Sequence, residues 1–222
     1  MDALTWLFPR TCPLCGKRIP LLHEFCSCSS ASPHPVPDDA TLIHPDDPVQ
    51  LRHLTAPYYY SGQIRSQLLM LKFQAQTRYV KPLGAAMAAK VLAAFPSVSF
   101  DCVTFVPMTE ADICVRSLNQ SALLAQTVAE KLFIECKALL VKTKSTIQQH
   151  TLHQAERLDN LQNVFAPTAM VIPGQTVLLV DDIKTTGTTL FRCCEALYAA
   201  GIRDVYCVCA AASEFWHDDS PV

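Results

Sequence analysis

Val177-Leu-Leu-Val-Asp-Asp-Ile-Lys-Thr-Thr-Gly-Thr-Thr-Leu190 decides the fold. Four consecutive apolar residues, Val177 to Val180, suit a strand covered on both faces within a parallel sheet. Asp181 and Asp182 are then expected to emerge at its carboxyl end, the edge where open α/β sheets bind ligands. The following turn supplies what a phosphate needs. Thr185, Thr186, Thr188 and Thr189 offer hydroxyl donors, and Gly187 allows close backbone approach. The amides opening the next helix present unpaired N–H groups at the positive end of its dipole. Two carboxylates beside a phosphate would repel it, unless they accept hydrogen bonds from vicinal sugar hydroxyls, directly or through a hydrated magnesium ion. The stretch is therefore a candidate cradle for a phosphorylated sugar.

Two other readings compete with this one. In the first, Asp182 and Thr185 serve only as helix caps and Asp181 ends a strand; but a cap requires one such residue, not seven close together. A Walker-type loop requires a glycine several residues before Gly-Lys-Ser/Thr, whereas Lys184 follows Ile183 and precedes Thr185.

Composition frames the rest. A chain of 222 residues, 50% hydrophobic, buries one sizeable core and leaves room for a small appendage. Its net charge of −2 lacks the basic excess of a dedicated nucleic-acid binder. No apolar run approaches the roughly 20 residues that span a bilayer. Met1 to Arg10 has no basic leader before an apolar core, so the expectation is a soluble, cytoplasmic protein.

The 11 cysteines divide into two groups. Cys102, Cys114, Cys136, Cys193, Cys194, Cys207 and Cys209 scatter through apolar segments and are expected in the core, where reduced cysteine packs as a small hydrophobe. Cys12-Pro-Leu-Cys15-Gly is a zinc knuckle by its spacing, and Cys26 and Cys28 supply a second pair. Cys26-Ser-Cys28 is tighter than the usual Cys-x-x-Cys, so His23, His34 or a water stands as an alternative to one thiolate. A ribbon this short has no core of its own, and losing the metal should leave it disordered.

From Ser27 to Pro48 the chain is rich in serine, proline, aspartate and histidine, which marks a linker. The expected division is a cysteine module with its linker over 1–50 and an α/β domain over 51–222. Tyr58 to Gly62 reads as a strand and turn; Ile64, Leu68 and Leu71 repeat at helical spacing before Lys72-Phe73. A second helix runs from Pro82 to Phe95, with Leu83, Met87, Val91 and Phe95 on one face. A strand follows over Cys102 to Val106, a helix from Asn119 to Phe133 and a short strand over Ala138 to Val141. This alternation argues a parallel α/β sheet.

The 177–190 stretch resembles the phosphoribosyl pyrophosphate (PRPP) motif of type I phosphoribosyltransferases. The resemblance implies that Asp181 and Asp182 hold ribose hydroxyls, while Thr185, Thr186, Gly187, Thr188 and Thr189 hold the 5′-phosphate. The knuckle, Phe105-Val-Pro-Met108, Arg116-Ser-Leu-Asn-Gln120 and the segment from Gln149 to Asn163 together resemble the ComF family. ComF proteins join an amino-terminal zinc module to a type I phosphoribosyltransferase-like domain, a parallel sheet flanked by helices, and several are linked to DNA uptake in natural competence. The resemblance implies pyrophosphate contacts from Arg116, Asn119 and Gln120, and places Gln149, Arg157 and Asn160 near the pocket. Lys72 is a further phosphate candidate. The plainer alternatives are that Asn119 caps a helix, that Arg116 and Lys72 are solvated charges, and that the last three lie on an ordinary polar face.

The implied chemistry is attack by an acceptor on the anomeric carbon of magnesium-bound PRPP as pyrophosphate leaves, with charge stabilisation dominant. No residue stands out as a general base. The rival reading is a competence scaffold with a vestigial pocket, contacting single-stranded DNA or competence proteins. Lys131, Lys137, Lys142 and Lys144 form a basic run for such contacts, but Glu130 and Glu135 dilute it.

Overall fold

The computed structural model describes residues 35–37, 42, 53–143 and 164–213. Cys12, Cys15, Cys26, Cys28, His23, His34, Lys144, Gln149, Arg157 and Asn160 lie outside these residues.

In chain order, β1 (Leu54–Thr55) and β2 (Tyr58–Tyr59) lead into helix α1 (Gly62–Gln74), a 3-10 turn (Thr77–Tyr79) and α2 (Val80–Ala94). Then come β3 (Cys102–Phe105), α3 (Glu110–Arg116), α4 (Gln120–Leu132), β4 (Leu140–Lys142) and β5 (Phe165–Pro167). The last elements are β6 (Thr176–Lys184), α5 (Thr188–Ala199) and β7 (Asp204–Ala212). The main sheet runs β1-β7-β6-β3 with every pair parallel, and β2 also pairs with β7. β4 and β5 form a separate antiparallel ribbon.

β6 is apolar without interruption from Val177 to Val180 because helices cover both faces of the sheet. Val177 and Leu179 join one core with Leu190, Cys193, Cys194 and Leu197 of α5. Leu178 and Val180 join the other, with Leu68 and Leu71 of α1, Leu83 and Met87 of α2, and Leu124 and Val128 of α4. Each fully buried Val or Leu contributes about 1.5–3 kcal/mol, so burial on both sides makes β6 the centre of the domain's stability.

Three expectations need correction. β6 does not end at the two carboxylates: pairing with β7 carries it through Asp181↔Cys209 to Lys184↔Ala212, because ladder hydrogen bonds depend on the backbone and are indifferent to charged side chains. Parts of the linker are packed. Val36 and Leu42 are buried in the first core, and Val36 N–H donates to the Pro57 carbonyl at 3.1 Å. Of the seven scattered cysteines, Cys114 is exposed and Cys136 half-buried. Cys114 lies on α3, a surface helix with no buried residue, held by a Thr109–Asp112 capping box and by Lys142 bonded to Asp112 at 2.9 Å. The other five are core residues. Burial pushes the Cys193 and Cys209 thiols well above their ordinary value, which disfavours the reactive thiolate.

α2 and α4 approach closely at Gly84, where an added Cβ would lie 2.6 Å from Thr127 Cβ and 2.7 Å from its Cγ2. Neither atom is the end of a flexible side chain, so the helices would have to separate. Gly84→Ala is expected to destabilise the domain by about 1–3 kcal/mol despite its better helix propensity; a denaturant midpoint equal to or above the wild-type value would contradict this packing.

Candidate functional site: a crevice at the end of β6

The site arises from a mismatch in strand length. β3 pairs with β6 only from Cys102↔Val177 to Phe105↔Val180, whereas β7 follows β6 four residues further. Beyond Val180 one edge of β6 is therefore free of β3. The chain also turns in opposite directions here. From β3 it passes through α4, on one face, to a further parallel bridge between Val103 and Cys136. From β6 it passes through α5, on the other face, to β7. Such a switch point opens a crevice at the carboxyl ends of the strands.

Asp181, Ile183 to Thr186 and Gly187 to Leu190 line an open concavity of about 200 Å³ there. Gly187 is the N-cap of α5 with φ +79°, a left-handed conformation natural to glycine, and α5 has no side-chain cap. Of the first-turn amides, Thr188 N–H makes one long bond, 3.5 Å, to Thr186 Oγ1, and Thr188 to Leu190 line the concavity. Capping by Asp182 or Thr185 is thus excluded. Thr185, Thr186, Thr188 and Thr189 are all exposed at the rim, and the Thr186 and Thr188 hydroxyls lie 3.0 Å apart.

Asp181 is different in kind. Only 7% exposed, it accepts a hydrogen bond from Ser121 Oγ at 2.8 Å and from the Asp182 amide at 2.9 Å. Burial, followed by the neighbouring Asp182 charge, pushes its carboxyl up to about 8. Asp182 is half-exposed. Ser121 was not singled out in the sequence; the available signal was its place one residue beyond Asn119-Gln120, in the first turn of α4.

The remaining candidates separate by geometry. Asn119 is the N-cap of α4: its side-chain oxygen accepts from Ala122 N–H at 3.1 Å and its amide donates to the Val106 carbonyl at 3.3 Å. Gln120 is buried, and its amide donates to the Lys72 carbonyl at 3.4 Å, tying the end of α1 to the start of α4. These two side chains are engaged in shaping the loop above the crevice. Arg116 ends α3 and is half-buried. Lys72 lies over the Phe73 ring, 5.9 Å from its centroid. None of the four lines the concavity. Lys184, considered in the sequence only for what it excludes, is 1% exposed and donates to the Leu42 carbonyl at 2.9 Å, fastening residue 42 to the end of β6.

Sheet, switch point and turn together define a type I phosphoribosyltransferase-like domain. The family described as the phosphoribosyl transferase domain matches residues 113–214. Over 204 residues, 89% of this chain and 83% of the relative, the chain is 26% identical to DNA utilization protein YhgH of Escherichia coli (strain K12). It is 36% identical over 93 residues to Competence protein F of Haemophilus influenzae (strain ATCC 51907 / DSM 11121 / KW20 / Rd), covering 40% of this chain and 41% of that protein. Together these matches support a ComF-family phosphoribosyltransferase-like protein. Among solved structures, an adenine phosphoribosyltransferase matches with a TM-score of 0.42 and 18% identity over 64% of this chain and 75% of its own. An allosteric regulatory enzyme of purine biosynthesis matches with a TM-score of 0.41 and 26% identity; the match covers 59% of this chain and a quarter (25%) of that longer one.

Asp181 makes stability depend on pH. An unfolded aspartate titrates near pH 4 or so, and the folded one near 8. Between these values the folded state keeps a proton that the unfolded state has lost, so stability falls as pH rises through the window. Asp181→Asn is expected to melt progressively higher than wild type from about pH 4 to about pH 8 and to hold its advantage above that. A difference in melting temperature that stays constant across the window would contradict the assignment.

Proposed function

We propose that this chain binds PRPP together with Mg2+ on Asp181, Asp182 and the 185–189 turn, and that it serves DNA uptake in natural competence. The observation that carries the first part is the amino terminus of α5, which opens on Gly187 and lines one concavity with the turn and with Asp181. Amides and threonine hydroxyls suit the 5′-phosphate. The carboxylates suit ribose hydroxyls, and two hard oxygen ligands are a fitting donor set for magnesium whose other ligands are waters and substrate phosphates. When bound, the ion would neutralise charge on the pyrophosphate oxygens.

The protein's own residues would divide the work. The α5 amides and Thr185 to Thr189 fix the phosphate end, and Ser121 orients Asp181 toward the ribose. Asn119 and Gln120 shape the loop that carries Arg116, which together with Lys72 is proposed to meet pyrophosphate. This arrangement suits transfer of the phosphoribosyl group to an acceptor, with stabilisation of leaving-group charge as the main contribution. A structural zinc on Cys12, Cys15, Cys26 and Cys28 and a cytoplasmic setting belong to the same proposal. The described residues contain no helix long and apolar enough to cross a membrane.

The link to DNA is drawn from the relatives, whose names refer to DNA utilization and competence. Those names also favour a second reading, a competence scaffold that retains a ribose-phosphate pocket without transfer. Calorimetric titration of PRPP with Mg2+ tests the site. Wild type is expected to bind, and Asp181→Asn/Asp182→Asn, checked for folding by its melting curve, is expected to bind at least about a hundredfold more weakly. Equal affinity in the variant, or no binding by folded wild type, would overturn the PRPP reading; binding without turnover in an acceptor screen would favour the scaffold.

A further inference from the structure

The packed linker residues are held to the domain through their main chain at two places. At the outer edge of the sheet Pro35 forms an antiparallel bridge with Tyr58, and Val36 N–H donates to the Pro57 carbonyl at 3.1 Å. Lys90 Nζ of α2 donates to the Val36 carbonyl at 2.9 Å and to the Pro37 carbonyl at 3.3 Å. Further along, the Leu42 carbonyl accepts from Lys184 Nζ at 2.9 Å. Both lysines grip carbonyls, so the attachment does not depend on which side chains the linker carries. The Val36 and Leu42 side chains are buried in the core that contains Leu190, Cys193 and Leu197 of α5.

The second attachment sits where the sheet gives way to the phosphate turn. Lys184 is the last residue of β6. It is in register with Ala212 of β7, which is in register with Tyr59 of β2, so the two attachments stand about 10 Å, two strand spacings, apart across the sheet. The Lys184 carbonyl accepts from Ser213 N–H at 2.8 Å, and Lys184 lines the concavity together with Thr185 to Leu190. Its backbone is thus fixed to β7 and its amine to the linker, and its next residue opens the turn. Packing alone does not call for an amine here. The Leu42 and Ala212 side chains belong to the apolar core, and burying an ammonium is unfavourable unless a polar partner compensates it. An apolar chain of similar length would fill the space without that penalty. What the amine adds is a directional bond to a segment 142 residues away.

We propose that Lys184 is a positioning residue for the ribose-phosphate site: through its amine the seated linker holds the start of the 185–189 turn, so that linker seating and ligand affinity are coupled. The identity of the ligand rests on the PRPP reading; the coupling rests on the contacts of Lys184. Thr185 and Thr186 are exposed, and donors on an exposed turn keep their aim only if the turn is held at its ends. Leu190 packs in the same core as Leu42, so the linker supports the turn on its helix side as well. By linkage, whatever linker seating adds to ligand affinity, the ligand adds to linker seating. A pull on residues 35–42 from the amino-terminal side would reach the turn by the same bond and weaken the site.

The test is hydrogen exchange of the full chain, followed on peptides covering 35–42 and 185–194, with calorimetric titration of PRPP and Mg2+ alongside. Lys184→Met keeps the length of the side chain and removes the donor. In the free protein it is expected to speed exchange of both peptides about tenfold and to weaken PRPP binding about tenfold. Leu42→Ala, which alters no residue of the crevice, is expected to weaken binding about threefold. The double variant should lose no more than Lys184→Met alone, the non-additivity that one shared route requires. PRPP is expected to slow exchange at 35–42 in wild type and not in Lys184→Met. Unchanged exchange at 185–194 in Lys184→Met, a 35–42 peptide that ignores bound PRPP in wild type, or additive losses in the double variant would each overturn the coupling. Should Lys184→Met not give a folded melting curve, Leu42→Ala decides, since unchanged exchange at 185–194 in that variant overturns it equally. If folded wild type binds no PRPP, the ribose-phosphate reading falls by itself, and the exchange of the two peptides in the free variants still decides whether Lys184 joins linker to turn.

Discussion

The constraint on which the rest of the domain depends is the unequal reach of the strands on either side of β6. Up to Val180 it is held on both edges and covered on both faces; from Asp181 to Lys184 it is held by β7 alone. The buried part supplies rigidity and the projecting part supplies chemistry. Because the two are one continuous strand, the carboxylates and the turn inherit the order of the core beneath them. Ser121 and Lys184 extend this support sideways. Ser121 is donated by α4 on one face of the sheet, and Lys184 reaches back to Leu42 at the boundary of the packed linker residues.

Local signals of great strength made the centre of the fold legible in the sequence. Four apolar residues followed by Asp-Asp and a threonine-glycine turn admit few structures, and the N-cap glycine, the parallel sheet and the concavity all follow from them. The end of β6 was not legible, since backbone pairing at 181–184 depends on how far β7 extends, a property of another segment. β7 itself, Asp204–Ala212, is rich in alanine and cysteine, small residues that carry little periodicity even when fully buried. β1 and β2 are two residues each, below the length at which alternation can be recognised.

Single residues were hidden for a related reason. Val36 and Leu42 stand alone among polar neighbours, so composition marks a linker although both side chains are in the core. Cys114 belongs to an apolar-looking run, Ile113-Cys114-Val115, yet α3 rests on the surface by its caps and one ion pair. Ser121 looks like any helix-surface serine until α4 is placed against β6. In each case the deciding contact spans many residues: 60 between Ser121 and Asp181, and 142 between Lys184 and Leu42. Sequence patterns are local, and these interactions are not.

Asp181 also constrains what the crevice can hold. A carboxyl that is buried beside a second carboxylate must either keep a proton or meet donors that stabilise its charge. Ser121 and the Asp182 amide provide two donors, but burial still outweighs them and favours the protonated form. A ligand that brings hydroxyl donors or a cation to Asp181 would therefore displace the proton, and its binding would release one. A ligand that brings only phosphate would do the opposite, since negative charge nearby strengthens the hold on that proton. The amides at the start of α5 and the carboxylates at the end of β6 thus make opposite electrostatic demands within a few residues. A molecule that satisfies both must be anionic at one end and rich in hydroxyls or metal-bound at the other, which is the charge distribution of a sugar phosphate.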